Sequence, residues 1–227
     1  MNPIIGIVPR TMMVGSNYKV QVNYNYIEPF LERKISTIIL PLNDYAMEEI
    51  LNICDGFLII GGDDIDPKYY GEKNTDSKNI DVYVDLIDQK VLKHALRHKK
   101  PVLGICRGIQ SIAAFLGGSL IQDIDKAGLV HDVKENSHMV NTLFINDFTK
   151  QFPASFPINS YHHQAVKNPP KDFDVIFKHN DLIEGIMHKS LPIVGVQWHP
   201  ERIPTKESKI IFDNFVNEVK KYHNEKN

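Results

Sequence analysis

Residues 101–118, "PVLGICRGIQSIAAFLGG", constrain the fold more than any other stretch of this chain. "PVLGIC" is a short apolar run suited to a buried strand. Directly after it, Ile109, Ile112, Ala113 and Leu116 recur at helical spacing until Gly117 and Gly118 stop the pattern. A buried strand that passes at once into a helix belongs to a sheet layered with helices. Other apolar runs repeat the strand half of this pattern. "PIIGIVP" from Pro3, "STIILPL" from Ser36 and "GFLIIGG" from Gly56 predict central strands, and "PIVGVQWHPE" from Pro192 begins as another.

Helical segments alternate with these runs. In "VQVNYNYIEPFLERK", Val22, Tyr26, Phe30 and Leu31 fit one helical face, with Pro29 set against an uninterrupted helix. Between Asn79 and His98, Val84, Ile87, Val91 and Ala95 recur at helical spacing, and Lys and His residues crowd the last turn. With 227 residues, 42% of them hydrophobic, and no low-complexity stretch, residues 1–227 are expected to form one domain.

Charge and composition remove several classes of function. A formal net charge of −2 offers no basic face for nucleic acid or an anionic membrane, so neither partner is expected. The start "MNPIIGIVPR" lacks a basic segment, a long apolar run and a small-residue cleavage site, which predicts a cytoplasmic protein. Two cysteines, Cys54 and Cys106, then read as reduced thiols.

Cys106 falls at the strand-to-helix turn, between Gly104 and Gly108. A sharp turn there projects the side chain, small neighbours let backbone segments approach, and a helix N-terminus favours the thiolate. The frame alone leaves a reactive thiol and a small buried hydrophobe as equal alternatives. His199 ends an apolar strand before Pro200, which biases it towards extended backbone. In an extended segment Glu201 shares the side of His199, so the pair suits a base and the carboxylate that orients it. In isolation, "HPE" is more simply an exposed turn, and Gly61-Gly62 an ordinary turn after a strand. The adjoining histidines of "NSYHHQAV" suggest a metal site, but neighbours on a strand face opposite ways and no ligand spacing accompanies them. "DDID" from Asp63 reads as a carboxylate-rich turn, with Asp66 before Pro67, rather than a magnesium cluster. No metal and no cofactor are expected.

Taken in order, "GGDDIDPKYYGE", "PVLGICRGIQ", "GGSLIQDI", "NSYHHQAV" and "GVQWHPE" resemble the class I glutamine amidotransferase-like superfamily, and within it the gamma-glutamyl-gamma-aminobutyrate hydrolases, peptidase family C26. The resemblance implies an α/β, flavodoxin-like three-layer sandwich with a mostly parallel central sheet. It implies hydrolysis of a gamma-glutamyl amide through a thioester, with Cys106 as nucleophile, His199 as base and Glu201 as its orienter. By the same resemblance the Arg107 N-H and one from Gly61 or Gly62 form the oxyanion hole. Gln110 is assigned to the glutamyl group, and the backbone at His163 and Gln164 lies near its alpha-carboxylate. The partner is then a small gamma-glutamyl substrate; a homodimer is left open, and a role in polyamine catabolism is a family association.

Two departures stand out. Where the family has an Arg-Asp pair followed by Glu, this chain has Val84 before Asp85, and Asp88 in place of the Glu. The segment "GEKNTDSKNI", residues 71–80, is compact and polar, which predicts a short lid. The rival functions are a glutaminase subunit that delivers ammonia to a separate synthase and a non-enzymatic redox-sensing thiol protein, the latter having no use for "WHPE".

Overall fold

All five apolar runs become adjacent parallel strands in the structure, a computed structural model that describes residues 2–42, 47–129, 137–143 and 145–226. In chain order, β1 (Ile4–Val8) leads into a hairpin of β2 (Arg10–Val14) and β3 (Asn17–Gln21), then α1 (Glu28–Glu32), β4 (Ser36–Ile39), α2 (Met47–Ile53) and β5 (Gly56–Ile59). Next come α3 (Val82–His98), β6 (Val102–Ile105) and α4 (Arg107–Phe115). The second half is mostly strand: β7 (Ser119–Ile121), β8 (Ser137–Thr142), β9 (Ser155–Asn159), β10 (Ala165–Asn168), β11 (Phe173–His179), β12 (Leu182–His188) and β13 (Ile193–Val196), followed by α5 (Lys206–Lys226).

The parallel strands lie in the order β4-β1-β5-β6-β13, and the sheet continues antiparallel through β12, β11, β8 and β9. β10 pairs with β12 and β7 beside this path. β4 is therefore an edge strand, not a central one. Among the described residues only β1 pairs with it, and its Ile39 is 48% exposed. The antiparallel half has no counterpart in the sequence expectations because its strands are not apolar runs. In β8, "SHMVNT", buried and exposed residues alternate one by one, so a single face carries the burial.

Alternation also builds the layers. Leu58, Leu103 and Ile105 pack on one face with Phe30 of α1 and Phe212 and Phe215 of α5. Phe57, Ile59 and Val102 point the other way, onto Leu51 of α2, Val91 of α3 and Ile112 of α4. Helices on both faces make the three-layer sandwich.

The helix expected around Pro29 is divided. A 3-10 turn, Tyr24–Tyr26, precedes the short α1, in which Pro29 is tolerated because it occupies the first turn. Tyr26 and Phe30 are buried, whereas Leu31 is 50% exposed and off the shared face. α3 starts three residues after Asn79. The Asp81 carboxylate caps it by accepting from the Tyr83 and Val84 N-H groups, at 2.9 and 3.2 Å. Residues 71–80 are pinned rather than loose: the Gln122 side-chain oxygen accepts from the Thr75 and Asp76 N-H groups, and Asp64 accepts from Lys78. Among the described residues, no helix is long and apolar enough to cross a membrane.

Candidate active site

β6 and β13 run side by side with Ile105 opposite Val196, so the chain leaves both strands at neighbouring points. The Cys106 N-H still donates to the Val196 carbonyl, at 2.8 Å. Cys106 itself takes φ 54° and ψ −105°, a conformation that L residues rarely adopt and that costs about 1–3 kcal/mol. Its flanking glycines have negative φ and serve a different purpose. A Cβ at Gly108 would lie 2.2 Å from the Ile59 carbonyl oxygen, and one at Gly104 would lie 2.6 Å from the Gly108 backbone. The frame thus lets α4 settle directly on β5 and β6. Cys106 is 7% exposed and packs at the edge of the core.

His199 takes φ −107° and ψ 85°, short of the extended backbone expected, and Asn159 of β9 grips it from both sides. The His199 N-H donates to Asn159 Oδ1 and Asn159 Nδ2 donates to the His199 carbonyl, each at 2.8 Å. His199 Nδ1 is 2.7 Å from Glu201 Oε1, and Cys106 lines the same cavity as the ring. With Nδ1 engaged by Glu201, Nε2 is the nitrogen available to sulfur. Glu201 arrives differently from the expected alternation: it lies in a 3-10 turn, Pro200–Arg202, which folds its carboxylate back beneath the ring. Burial works against the imidazolium, but the neighbouring Cys106 sulfur and Glu201 carboxylate prevail and raise the His199 pKa to about 9.

The glycine loop closes the opposite side. The Gly61 N-H donates to the Tyr26 hydroxyl at 3.1 Å, and that hydroxyl is 3.2 Å from His199 Nδ1. A Cβ at Gly61 would lie 2.8 Å from the Tyr26 hydroxyl and 2.9 Å from His199 Cε1. The Gly62 and Arg107 N-H groups donate to no group among the described residues.

Beneath the loop, Arg10 Nε donates to the Gly61 carbonyl at 2.9 Å, and its guanidinium also reaches the Ile60 carbonyl. Arg10 and Arg107 share the buried Asp88, which also accepts from Ser111 Oγ at 2.6 Å, while Arg107 pairs with Asp85 as well. Asp88 therefore spans the two guanidiniums despite standing where the family has Glu. Val84 lines the cavity.

Cys106, Arg107, Gly61, Gly62 and His199 line a common cavity of about 350 Å³, with Tyr26, Tyr161 and Arg202 around them. Gln110, His163 and Gln164 do not reach its wall. Gln110 is 4% exposed, and its Nε2 donates to the Gln164 carbonyl at 3.2 Å and Gln197 Oε1 at 3.3 Å. It braces the floor, and Gln197 Nε2 in turn lies 3.8 Å from Cys106 Sγ. The His163 side chain turns away to Asp64, at 3.0 Å. Asp66 follows turn chemistry, accepting from the Lys68 N-H at 3.1 Å.

Sequence reasoning missed Arg10, Asn159 and Gln197 and saw Tyr26 only as a packing residue. Asn159 and Gln197 sit inside quoted blocks, where their position was a usable signal. Arg10 carried none, since the site groups it holds, Ile60, Gly61 and Asp88, lie 50 or more residues away.

A parallel sheet that presents a strained cysteine on one strand and a histidine-carboxylate pair on the next, below a glycine loop, defines a glutamine amidotransferase-like α/β protein. The profile of the Peptidase C26 family matches residues 3–201, and the chain belongs to that family. It is 31% identical over 204 residues to the putative glutamine amidotransferase-like protein YvdE of Lactococcus lactis subsp. lactis, covering 85% of this chain and 86% of that one. It is 26% identical over 236 residues to the gamma-glutamyl-gamma-aminobutyrate hydrolase PuuD of Escherichia coli, with 95% and 92% covered. It is 29% identical over 207 residues to a glutamine-hydrolyzing GMP synthase subunit of Methanospirillum hungatei, with 90% and 93% covered. The fold matches the crystal structure of a putative GMP synthase subunit from Thermoplasma acidophilum with a TM-score of 0.71 at 21% identity, covering 100% of this chain and 98% of that one.

Proposed function

We propose that this protein hydrolyses the gamma-glutamyl amide bond of small gamma-glutamyl amines. The observation that carries this reading is the meeting of Cys106 and His199 at the wall of one cavity that Gly62 and Arg107 also line, with the buried Glu201 carboxylate 2.7 Å from His199 Nδ1. In the proposed reaction, the Cys106 thiol gives its proton to His199, the sulfur attacks the amide carbon and the Gly62 and Arg107 N-H groups receive the developing oxyanion. His199 gives its Nε2 proton to the leaving nitrogen, the C-N bond breaks, and the amine departs from a gamma-glutamyl thioester. Water then loses a proton to His199 and attacks the thioester, releasing glutamate and restoring the thiol. Glu201 holds the ring and stabilises its charged form throughout.

The rival is a glutaminase that supplies ammonia to a separate synthase, supported by the likeness to the glutamine-hydrolyzing GMP synthase subunit of Methanospirillum hungatei. Both readings share the thioester and differ in the leaving group. A cavity of about 350 Å³ opens beside the thiol, room for an amine with a carbon chain whose remote part contributes binding energy. The test compares gamma-glutamyl-gamma-aminobutyrate, other gamma-glutamyl amines and glutamine as substrates of the isolated chain, with the released amine identified. A clear preference for substituted amides is expected. Equal or better cleavage of glutamine, or no turnover until a synthase is added, would transfer the assignment to the glutaminase.

A further inference from the structure

A group of side chains on the C-terminal half of α3 takes no part in the proposed hydrolysis. His94 and His98 lie one helical turn apart, and Glu48 reaches them from α2. His94 Nδ1 is 3.1 Å from Glu48 Oε1, and the two imidazoles overlap with centroids 4.3 Å apart and planes 32° apart. One ligating atom from each of the three residues lies within 4.8 Å of the others. Bonds of roughly 2.0–2.2 Å to nitrogen and oxygen draw neighbouring ligands to about 3.3 Å, so only a modest closure of His98 is required.

His94 is 4% exposed, and its Nε2 is buried with no hydrogen-bond partner among the described residues. The protein leaves part of this ring's ligating capacity unused. Glu48 reaches the solvent, so an ion has a path to the site.

The surroundings select among ions. Lys90, Lys93 and Arg97 border the adjoining groove. Lys93 is turned to Gln89 at 3.0 Å, and the Lys100 ammonium donates to the Leu51, Asn52 and Cys54 carbonyls at 2.7, 3.1 and 2.6 Å. Such cations oppose an ion held by charge alone, as magnesium is. They oppose less a metal that forms directed bonds to imidazole nitrogen. We propose that Glu48, His94 and His98 form a binding site for a divalent transition metal of the zinc type, and that the ion ties α2 to α3. This site is independent of the hydrolase assignment.

The test is calorimetric titration with zinc sulfate of the Cys106→Ala protein, which lacks the thiol that would compete for zinc. The expected result is a zinc-binding event that Cys106→Ala/His98→Ala weakens by at least the roughly 10- to 100-fold that loss of an outer-shell partner costs, with Cys106→Ala/Glu48→Gln also weakened. Magnesium chloride should give no such event. Zinc should raise the melting temperature of Cys106→Ala but not of the His98 double variant. His98→Ala with Cys106 intact should turn over substrate as the wild type does. Absence of zinc binding by Cys106→Ala, or binding unchanged in a His98 double variant whose circular dichroism is native, would overturn the proposal.

Discussion

His199 carries most of the electrostatic character of the site, because two partners stabilise its charged form in a place where burial opposes charge. Its pKa of about 9 stands above the ordinary 6.5, so the folded state holds that proton more firmly than the unfolded chain does. The resulting stabilisation is full below about pH 6.5 and fades as pH rises through about 9. An NMR titration of the imidazole should therefore give a midpoint near 9 in the wild type. In Cys106→Ala the midpoint should fall, since the sulfur that favours the charged ring is lost. An unchanged midpoint would show that sulfur does not reach the ring. That Cys106, His199 and Glu201 lie close together was legible in the sequence because each falls within a short block whose order carries a pattern. Their supports were not. Asn159 falls inside one of those blocks, but the block does not say that it grips the backbone of His199, 40 residues later, and nothing local says that Tyr26 reaches the glycine loop.

At the scale of elements, α4 is held close to the sheet by the absence of two Cβ atoms. Gly108→Ala forces the helix off β5, because the added methyl would lie 2.2 Å from a backbone oxygen that cannot swing aside. Urea unfolding should show a loss of about 1–3 kcal/mol, the usual cost of overpacking. Activity should fall further than stability, since Cys106 moves with the first turn of the same helix. A variant as stable as the wild type would mean that α4 and β5 separate without cost. The parallel strands were legible from their isoleucine-rich runs. The antiparallel extension was not, since in strands such as β8 the buried face carries polar His138 and Thr142 while Met139 is exposed, so burial leaves no apolar pattern in the sequence. Pro29 announced an interruption, but only the fold shows that a 3-10 turn there delivers Tyr26 to the site.

Across the whole molecule, Asp88 joins three elements by pairing α3 with Arg10 of β2 and Arg107 of α4. Both guanidiniums are buried, so Asp88→Ala leaves two cations sharing less compensation. A loss of about 3–5 kcal/mol in chemical denaturation is expected, as for other broken buried ion pairs. A loss below about 1 kcal/mol would indicate that water or the neighbouring Asp85 replaces the bridge. The layered architecture itself was legible from the alternation of runs and helical periods. The pairing order was not, because β13, late in the chain, enters between β6 and β12.

That late insertion bears on how the protein is born. While the ribosome is still adding residues 122–192, the side of β6 that will receive β13 has no partner, and an open apolar strand edge is a template for aggregation. The nascent chain carries its thiol long before it carries the histidine beside it. Completion of the sheet and assembly of the site are thus one late event in synthesis, and chaperone occupancy should persist until β13 has left the exit tunnel.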